Sequence, residues 1–477
     1  MSELCDLTAV ELRRLIGSKA ISPVELLESC IARIEAVNPA LNAVVATCYD
    51  RARAEAEAAE KAVLDGEALG LLHGLPLGVK DLNITEGLRT TFGSLLYEHY
   101  VPEADERMVA SLRAEGAILV GKTNTPEFGA GANTRNKVYG ATGNPFDPEL
   151  TCGGSSGGTA VALATGMLPL ATGSDLGGSL RTPAGFCGVV GYRPTPGLVP
   201  DEDRVVGLSP LPVLGPMGRT AADTALLLAA QIDWDLRDPF SQAPDPELDA
   251  PPQEIDLSTL RVAYSEDLGV APMDDGLREV FRARMAKLGP AFASCEARDP
   301  DLGPVHEVFE ILRGVNFVAA HKERVEQHRE LLGPNVVDNT ERGLVYTAAD
   351  IAWASVEQTK LYRRFLEFFE EVDVLICPAC SVSPFPHEQL FVAEINGKPM
   401  DTYMRWLAIT YGITMTTHPV AVLPCGRDAL GLPFGIQVVG RYQDDATLLR
   451  IAASLERHMA SDPSLARPLP DLSKLQS

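Results

Sequence analysis

Two glycine-rich stretches carry serines that could act as nucleophiles. The first, GGSSGG at 153–158, contains the pattern G-x-S-x-G twice, centred on Ser155 and on Ser156. The second, GSDLGGSLR at 173–181, places Ser179 directly after a pair of glycines. Glycines let the backbone approach a ligand closely and aim successive N–H groups at one point, as an oxyanion hole requires. The two stretches therefore indicate acyl transfer, with a serine attacking a carbonyl carbon.

The G-x-S-x-G pattern taken alone favours another class, the α/β-hydrolases with a Ser-His-Asp triad. That motif needs an apolar strand, a sharp turn and a helix, with an acid and a histidine later in the chain. Histidines follow at positions 306, 321, 328, 387, 418 and 458, so the order is available. The preceding residues, NPFDPELTC, offer no apolar strand. We interpret the match as a product of the Gly-rich run and keep this hydrolase as an alternative.

A serine nucleophile needs a base, and Lys80 is the first candidate. It stands in the strand-like apolar run GLPLGVKDLNI. Burial disfavours the ammonium form and lowers the pKa of a lysine, which can make it a general base near neutral pH. Serine–lysine pairs are a known alternative to serine–histidine pairs. The spacing in the sequence does not show that Lys80 reaches Ser179.

The elements around these residues predict an α/β fold. Residues 1–65 read as helices, and from 70 to 230 short apolar runs alternate with Gly-rich turns and helical segments. The Pro-rich, acidic stretch 239–256 reads as an exposed connector, and 274–372 is predicted to be mostly helical. Strand signals return in 373–477. We expect a single large domain, 1–477, with a central mixed sheet covered by helices.

Composition excludes several classes of function. The chain has 477 residues, 45% of them hydrophobic, and a formal net charge of −24. Such a charge repels phosphate backbones and anionic lipid, so we expect no nucleic-acid partner and no membrane partner. The N-terminus has no secretory signal pattern, and no run reaches the ~18 to 20 apolar residues of a spanning helix. Nine scattered cysteines, an odd number, favour free thiols in the cytoplasm.

Several ordered segments together resemble the amidase signature family. They are GLPLGVKD (74–81), TPEFG (125–129), GGSSGGTAVALA (153–164), GSDLGGSLRTPAGFCGVVGYRPTPG (173–197), GPMGRTAADTALLL (215–228) and, near the C-terminus, GLPFGIQVVGRYQDDATLL (431–449). The resemblance implies the amidase signature fold, a mixed sheet of about eleven strands wrapped by helices. It also implies an amidohydrolase with a serine–cis-serine–lysine triad.

The resemblance assigns the catalytic roles residue by residue. Ser179 matches the nucleophile, and Lys80 matches the base. Ser155 matches the bridging serine, which in the family usually follows a cis peptide bond. Ser156 is expected to support the turn through its hydroxyl.

The resemblance also implies how the oxyanion is bound and how the nucleophile turn is held. The family's oxyanion donors are backbone N–H groups, which here belong to Leu176, Gly177, Gly178 and Ser179. Gly129 falls where the family backbone lines the acyl site. An ion pair between Asp175 and Arg181, which flank the turn, is expected to hold it rigid.

The predicted reaction needs no metal and no cofactor. We expect cleavage of a small acyl or aryl amide, with a carbamate (urethane) second and esterase activity possible, by a monomer or homodimer. The family also includes the amidase subunit of tRNA-dependent amidotransferases, which often has Gln where this chain has Thr182. Specificity is expected in the loop 130–146 and the helical region 300–350. The C-x-x-C at Cys377 and Cys380 is read as buried thiols, because structural zinc usually needs four ligands.

Overall fold

The strands of the structure form one large sheet and three small hairpins. The computed structural model describes residues 3–476. In that part of the chain, the strands are β1 (Val44–Thr47), β2 (Pro76–Lys80), β3 (Ile118–Thr123), β4 (Arg135–Asn136), β5 (Gly140–Ala141), β6 (Gly143–Asn144), β7 (Asp147–Thr151), β8 (Leu170–Asp175), β9 (Val190–Arg193), β10 (Val213–Gly218), β11 (Arg261–Tyr264), β12 (Ser294–Ala297), β13 (Val374–Pro378), β14 (Glu394–Ile395), β15 (Lys398–Pro399), β16 (Val420–Arg427) and β17 (Pro433–Val439).

Eleven of these strands make the central sheet, in the order β1-β3-β2-β8-β10-β9-β16-β17-β13-β11-β12. Strand β2 pairs in parallel with β3 and β8, and β11 pairs in parallel with β12 and β13. The other neighbours in the sheet are antiparallel. The predicted α/β fold with a central mixed sheet is confirmed, as is the number of strands.

Helices cover both faces of this sheet and share one hydrophobic core with it. In the described residues the α-helices are α1 (Ala9–Gly17), α2 (Pro23–Leu41), α3 (Tyr49–Asp65), α4 (Arg107–Ala114), α5 (Gly157–Ala164), α6 (Arg181–Cys187), α7 (Ala221–Gln231), α8 (Asp275–Leu288), α9 (Val305–His328), α10 (Pro334–Leu344), α11 (Ala348–Glu371), α12 (Ala408–Thr414) and α13 (Asp445–Ala460). The core includes side chains from Cys5 to Leu475. The chain therefore folds as a single domain.

Helix α2 illustrates how local sequence sets an element. Ser22 caps its N-terminus in a reciprocal capping box with Glu25, and Pro23 occupies the first helical position. Asn42 ends the helix in the left-handed conformation, with φ of 55°. The apolar side chains along one face of this helix are buried, namely those of Leu26, Leu27, Cys30, Ile31, Ile34 and Val37.

Two strands lie where the sequence reading expected helices. Strand β1 interrupts the N-terminal helical region 1–65, and β12 lies within the helical region 274–372. Both are four residues long and both end the order of the central sheet. Short edge strands bury few side chains, so they leave little hydrophobic pattern in the sequence.

The central strands position the residues singled out above. Lys80 is the last residue of β2, and Asp175 is the last residue of its neighbour β8. The turn that carries Ser179 connects β8 to α6, and the GGSSGG stretch leads into α5. Helix α5 packs closely: a Cβ on Gly158 would lie 2.3 Å from the backbone nitrogen of Asn124, so only glycine fits there.

The stretch 239–256 is mostly exposed and crosses the surface without dividing the fold. It contains one short 3-10 turn, Pro246–Asp249, from which Leu248 is buried in the common core. Near its end, the Ile255 amide donates to the Ser454 hydroxyl of α13 over 2.9 Å. Strands before and after this stretch belong to the same sheet.

Candidate active site

The side-chain amine of Lys80 lies among three serine hydroxyl groups. The side chain is fully buried, and its Nζ lies 2.7 Å from the Oγ of Ser155, 2.9 Å from that of Ser156 and 3.0 Å from that of Ser174. Burial lowers the pKa of Lys80 to about 7, against a smaller opposing effect of the Asp175 charge. A neutral amine keeps two N–H donors and one lone pair. It can therefore accept a proton from one of these hydroxyls while donating to the other two.

Ser174 was missed by the sequence reading. It is the residue before Asp175 in β8, and its hydroxyl is the third contact of the lysine amine. The only signal was its place in the stretch GSDLGGSLR, in which Ser179 and the glycines are the more conspicuous residues. Successive residues of a strand point to opposite faces of the sheet, and so do Ser174 and Asp175. A shift of β8 by one residue relative to β2 would therefore change which of the two faces Lys80.

The two glycine-rich stretches meet in the structure. The peptide bond between Gly154 and Ser155 is cis. The Ser156 amide donates to the Ser179 carbonyl over 3.2 Å, which joins the two stretches directly. The Ser156 hydroxyl also accepts from the Ser174 amide over 3.4 Å. Ser156 thus joins both stretches and lies beside Lys80.

Ser179 and Ser155 line the same cavity. Ser155 is 2% exposed, whereas Ser179 is partly exposed. Within residues 3–476, no group hydrogen-bonds the Ser179 hydroxyl. Ser179 is therefore the more accessible of the two hydroxyls for a ligand that enters the cavity.

The nucleophile turn leaves three amides for an oxyanion. Among the residues that the structure describes, the N–H groups of Leu176, Gly177 and Ser179 have no acceptor. The Gly178 amide differs, since it donates to Asp175 Oδ1 over 2.9 Å. The expectation that Gly178 is an oxyanion donor is therefore corrected. Its glycine is required by the backbone instead, because φ is 127° and a Cβ would lie 2.4 Å from Oγ1 of Thr410.

A buried ion pair braces this turn. Asp175 accepts from Arg181 Nε and Nη2, both at 3.0 Å, and from Arg193 Nη1 at 3.2 Å. It also accepts from the Leu180 amide over 3.1 Å. Burial alone would raise the pKa of Asp175, but the two guanidinium charges hold it well below its usual value. The sequence reading named Asp175 and Arg181 but missed Arg193, which lies on β9, separated from β8 by β10 in the sheet.

Gly129 lies against the bridging serine. Its φ is 70°, and a Cβ there would come within 3.1 Å of Leu82 Cδ1 and 3.3 Å of Ser155 Oγ. Both Gly129 and Ser155 line the cavity. This glycine therefore lets the backbone run close to the serine hydroxyl.

The cavity has a volume of about 400 Å³ and mostly apolar walls. A face of α9 lines the cavity, and so does the loop 201–206. An aromatic group closes another side, with Phe92 5.0 Å from Tyr97 and 6.2 Å from Phe128 between ring centroids. The region 300–350 thus contributes to the cavity, whereas the loop 130–146 lines only a small cleft beside Ser179, through Gly131 and Ala132. The sequence reading missed the aromatic group and the loop 201–206.

The face of α9 that lines the cavity follows from helical periodicity. Its lining residues are Arg313, Asn316, Phe317, Ala320, His321 and Arg324. These positions recur every three or four residues, which places them along one side of a helix. The sequence shows the spacing, but only the fold shows that this side faces the serines.

His321 is the one histidine that lines this cavity in the described part of the chain. Burial, with the neighbouring charge of Arg324, lowers the pKa of His321 to about 3. Its Nδ1 lies 3.4 Å from Arg324 Nη1, and it makes no hydrogen bond to Ser155 or Ser179 within residues 3–476. His418 is buried elsewhere, 4.7 Å from the ring of Phe365. These contacts do not form a Ser-His-Asp relay.

The C-x-x-C cysteines lie apart from any candidate metal ligands. Cys377 Sγ accepts from Gln437 Nε2 over 3.3 Å, and Cys380 Sγ lies 3.6 Å from the Thr182 carbonyl. Both thiols are buried, and burial raises the pKa of Cys377 to about 12. Across residues 3–476, no three His, Cys, Asp or Glu side chains are grouped to hold a metal ion.

Comparison with known proteins shows the family of this chain. The family model described as Amidase matches residues 25–449. The chain belongs to the amidase signature family. The candidate residues Lys80, Ser155 and Ser179 all lie within the matched range, and the chain is an amidase signature amidohydrolase.

The similar proteins include acylamidases and an amidotransferase subunit. The acylamidase of Rhodococcus erythropolis is 33% identical over 457 residues, covering 94% of this chain and 95% of that protein. One subunit of the glutamyl-tRNA(Gln) amidotransferase of Thermosynechococcus vestitus is 34% identical over 473 residues, covering 94% and 97%. The crystal structure of a bacterial aryl acylamidase of the amidase signature family superposes with a TM-score of 0.88 at 28% identity, covering 96% of each chain.

None of the helices within residues 3–476 combines the length and apolar character needed to cross a membrane.

Proposed function

We propose that this amidase hydrolyses a small acyl or aryl amide through an acyl-enzyme on Ser179. One observation carries the proposal: a fully buried lysine amine lies 2.7 Å from the hydroxyl of Ser155, which shares a cavity with Ser179. The pKa of Lys80, about 7, lets a large fraction of the amine be neutral at physiological pH. A lysine held in this way is suited to act as a base.

In the proposed reaction, the proton of Ser179 passes to Ser155, whose own proton passes to Lys80. The Ser179 Oγ then attacks the amide carbonyl carbon and forms a tetrahedral oxyanion. The free amides of the nucleophile turn, those of Leu176 and Gly177 among them, stabilise its charge. Collapse breaks the C–N bond, and the proton returns through Ser155 to the leaving amine.

Hydrolysis of the acyl-enzyme uses the same groups in a second round. A water molecule attacks the ester carbonyl carbon and gives its proton to the relay of Ser155 and Lys80. Collapse of the second tetrahedral species breaks the bond to Ser179 Oγ, which regains its proton. The products are a carboxylic acid and an amine. The resting enzyme is restored without a cofactor.

The walls of the cavity support an aryl group on one side of the scissile bond. Its volume of about 400 Å³ is in the range of small-molecule sites. The aromatic group of Phe92, Tyr97 and Phe128 can pack against a planar ring, and the acylamidase relatives act on amides by name. A carbamate is the second candidate, since its carbonyl places charge on the same oxyanion position. An ester would follow by the same route.

The amidase subunit of a tRNA-dependent amidotransferase remains the second candidate function. The relative from Thermosynechococcus vestitus supports it. Thr182, in place of the Gln frequent in such subunits, and the net charge of −24 argue against it. We also propose that the whole chain acts in the cytoplasm as one catalytic domain, as a monomer or homodimer.

A substrate panel tests the proposed function. The purified chain is assayed on acyl anilides, aliphatic amides, ureas, carbamates and glutamine, with Ser179→Ala as the control for contaminating enzyme. We expect turnover of anilides without any partner protein. If glutamine is the one substrate of the panel that is turned over, and the other components of an amidotransferase stimulate that turnover, the proposal is contradicted and the second candidate is favoured.

A further inference from the structure

Arg313 of α9 is a buried cation without an anionic partner. It is 5% exposed, and no carboxylate oxygen of residues 3–476 lies within 4.0 Å of its guanidinium nitrogens. The other buried guanidiniums near the site differ, since Arg181 and Arg193 share Asp175. Burying a charge is costly unless it is paired. The absence of a partner therefore points to an anion that comes from outside the chain.

Neutral groups hold the Arg313 guanidinium in place. Its Nε donates to Asn339 Oδ1 over 3.0 Å, and its Nη2 donates to the Tyr403 hydroxyl over 2.5 Å. Its guanidinium carbon lies 4.4 Å from the ring centroid of Phe317. These contacts orient the planar group but use only two of its five N–H donors. Nη1 has no acceptor in the described chain, so the edge formed by Nη1 and Nη2 can bind a further group.

The position of Arg313 connects it to the reaction. It lines the main cavity with Ser179, and it also lines a cleft of about 30 Å³ along Gly177 and Gly178. A substrate that acylates Ser179 therefore has this guanidinium beside it. The second unpaired arginine on this face, Arg324, lies eleven residues further along the helix, about 16 Å away, and contacts the Tyr97 hydroxyl.

The carboxylates in the cavity wall do not neutralise Arg313. Asp175 is paired with Arg181 and Arg193. Glu106 accepts from Asn83 Nδ2 and from the Ile84 amide, both at 2.6 Å. Asp201 and Asp203 also line the cavity. None of these four carboxylates is within ion-pair distance of Arg313.

We propose that Arg313 binds a carboxylate carried by the substrate, so that the preferred amides are anionic. Arginine suits this role because its planar fork matches a carboxylate with two parallel hydrogen bonds. The carboxylate could lie on the acyl side or on the amine side of the scissile bond, and the two cases share the same chemistry. This inference rests on the proposed function, because it names the substrate class of that site.

Matched substrate pairs test it. On the acyl side, N-phenylsuccinamate is compared with N-phenyl-4-methylpentanamide, in which an isopropyl group replaces the carboxylate. On the amine side, 3-acetamidobenzoate is compared with 3-isopropylacetanilide. We expect the charged member of one pair to have a kcat/KM about tenfold or more above its uncharged analogue. In Arg313→Gln this ratio falls to about one, through a rise in KM for the charged substrate.

Three further variants separate binding from a structural role. Arg313→Lys keeps the charge without the fork, so part of the preference should remain. Arg329→Gln removes an arginine at the exposed end of the same helix, where it pairs with Glu341, and should leave the ratio unchanged. Equal losses on both members of a pair in Arg313→Gln would show a structural role and overturn the proposal. Loss of the preference in Arg324→Gln alone would overturn it too.

Failure of this inference and failure of the proposed function give different results. If the chain hydrolyses amides without preferring a charged member, the inference is wrong and the function stands. If no amide is hydrolysed, binding of N-phenylsuccinamate and 3-acetamidobenzoate to Ser179→Ala is measured by calorimetry. At least one should bind about tenfold more weakly when Arg313→Gln is added; unchanged affinity for both would overturn the inference independently of turnover.

Discussion

Lys80 and Lys122 are two fully buried lysines on adjacent parallel strands, and their surroundings differ completely. Val79 is the residue in register with Lys122, so the two amines point to opposite faces of the sheet. Lys80 meets three serine hydroxyls. Lys122 donates to the Asn83 carbonyl and to the Thr85 hydroxyl, 2.9 Å away. Burial is thus common to both, and only the partners distinguish them.

The charges around the two lysines explain their different roles. Burial lowers the pKa of both amines, but nearby carboxylates oppose this for Lys122, with Asp81 first and Glu106 next. For Lys80 only Asp175 opposes it, and that carboxylate is already paired with two arginines. Lys122 therefore serves as a counter-charge in a polar network. Lys80 has a lone pair available and hydroxyls to take a proton from, which is what a base requires.

The largest expected effect comes from removing the Ser179 hydroxyl, the proposed nucleophile that Lys80 serves as a base. Ser179→Ala should lower kcat by at least about 10⁴-fold, because the acyl-enzyme can no longer form. Its hydroxyl has no partner among the described residues, so the melting temperature should stay close to that of the wild type. Steady-state kinetics and thermal unfolding on the same sample check both. Retention of near-normal kcat would remove Ser179 from the mechanism.

The sequence predicts the reactive residue types of this site better than it predicts the contacts between them. Ser155, Ser179 and Lys80 stand out because their residue types and glycine neighbours are unusual. Ser174 and Arg313 do not, since a serine in a strand and an arginine in a helix are ordinary, and only the fold brings them to the cavity. The family resemblance assigned the Gly178 amide to the oxyanion, but the side chain of Asp175, three positions earlier, accepts its hydrogen bond.

The fold likewise has parts that the sequence predicts and parts that it does not. Long helices and buried strands such as β13 and β17 carry periodicity and apolar runs that a sequence reading detects. The edge strands β1 and β12 were missed because four residues with little burial carry no such pattern. The cavity wall contributed by 201–206 was missed because an irregular loop has no period at all. Its position depends on the elements around it.

The second prediction tests the base directly. As pH rises through about 7, the neutral fraction of Lys80 increases, so kcat/KM should rise from acid to neutral pH along one limb. Lys80→Ala should lower kcat about 10²- to 10⁴-fold and abolish that limb. Lys80→Arg should not restore activity, since a guanidinium stays protonated at these pH values.

The measurement is a pH–rate profile of the wild type and both variants on one uncharged anilide. An uncharged substrate is needed because its own ionisation cannot then contribute to the limb. An unchanged limb in Lys80→Ala would assign the base to another group. Glu106 would then be the next residue to substitute, because it lines the same cavity and burial raises its pKa well above the usual value of a carboxyl.

The third prediction separates the two adjacent serines. Ser155→Ala should lower kcat about 10²-fold or more, because it interrupts the proposed path between Ser179 and Lys80. Ser156→Ala removes one hydroxyl contact of Lys80, and its amide bond to the Ser179 carbonyl remains, so a loss of about tenfold or less is expected. Parallel kinetics of the two variants decide the order. A larger loss in Ser156→Ala would exchange their roles.

The smallest effect on catalysis is expected for the lysine that faces away from the serines. Lys122→Met removes the counter-charge of the buried Asp81 and leaves the Asn83 carbonyl with the Thr85 hydroxyl as its donor, which should lower the free energy of unfolding by about 3 kcal/mol. At a temperature where the variant is folded, its pH–rate limb should still rise through about 7, because Lys80 keeps its hydroxyl partners. Denaturant unfolding and the pH–rate profile measure the two effects separately. Loss of the limb in Lys122→Met, as expected for Lys80→Ala, would mean that the two lysines titrate as one unit, and the distinction between base and counter-charge would no longer hold.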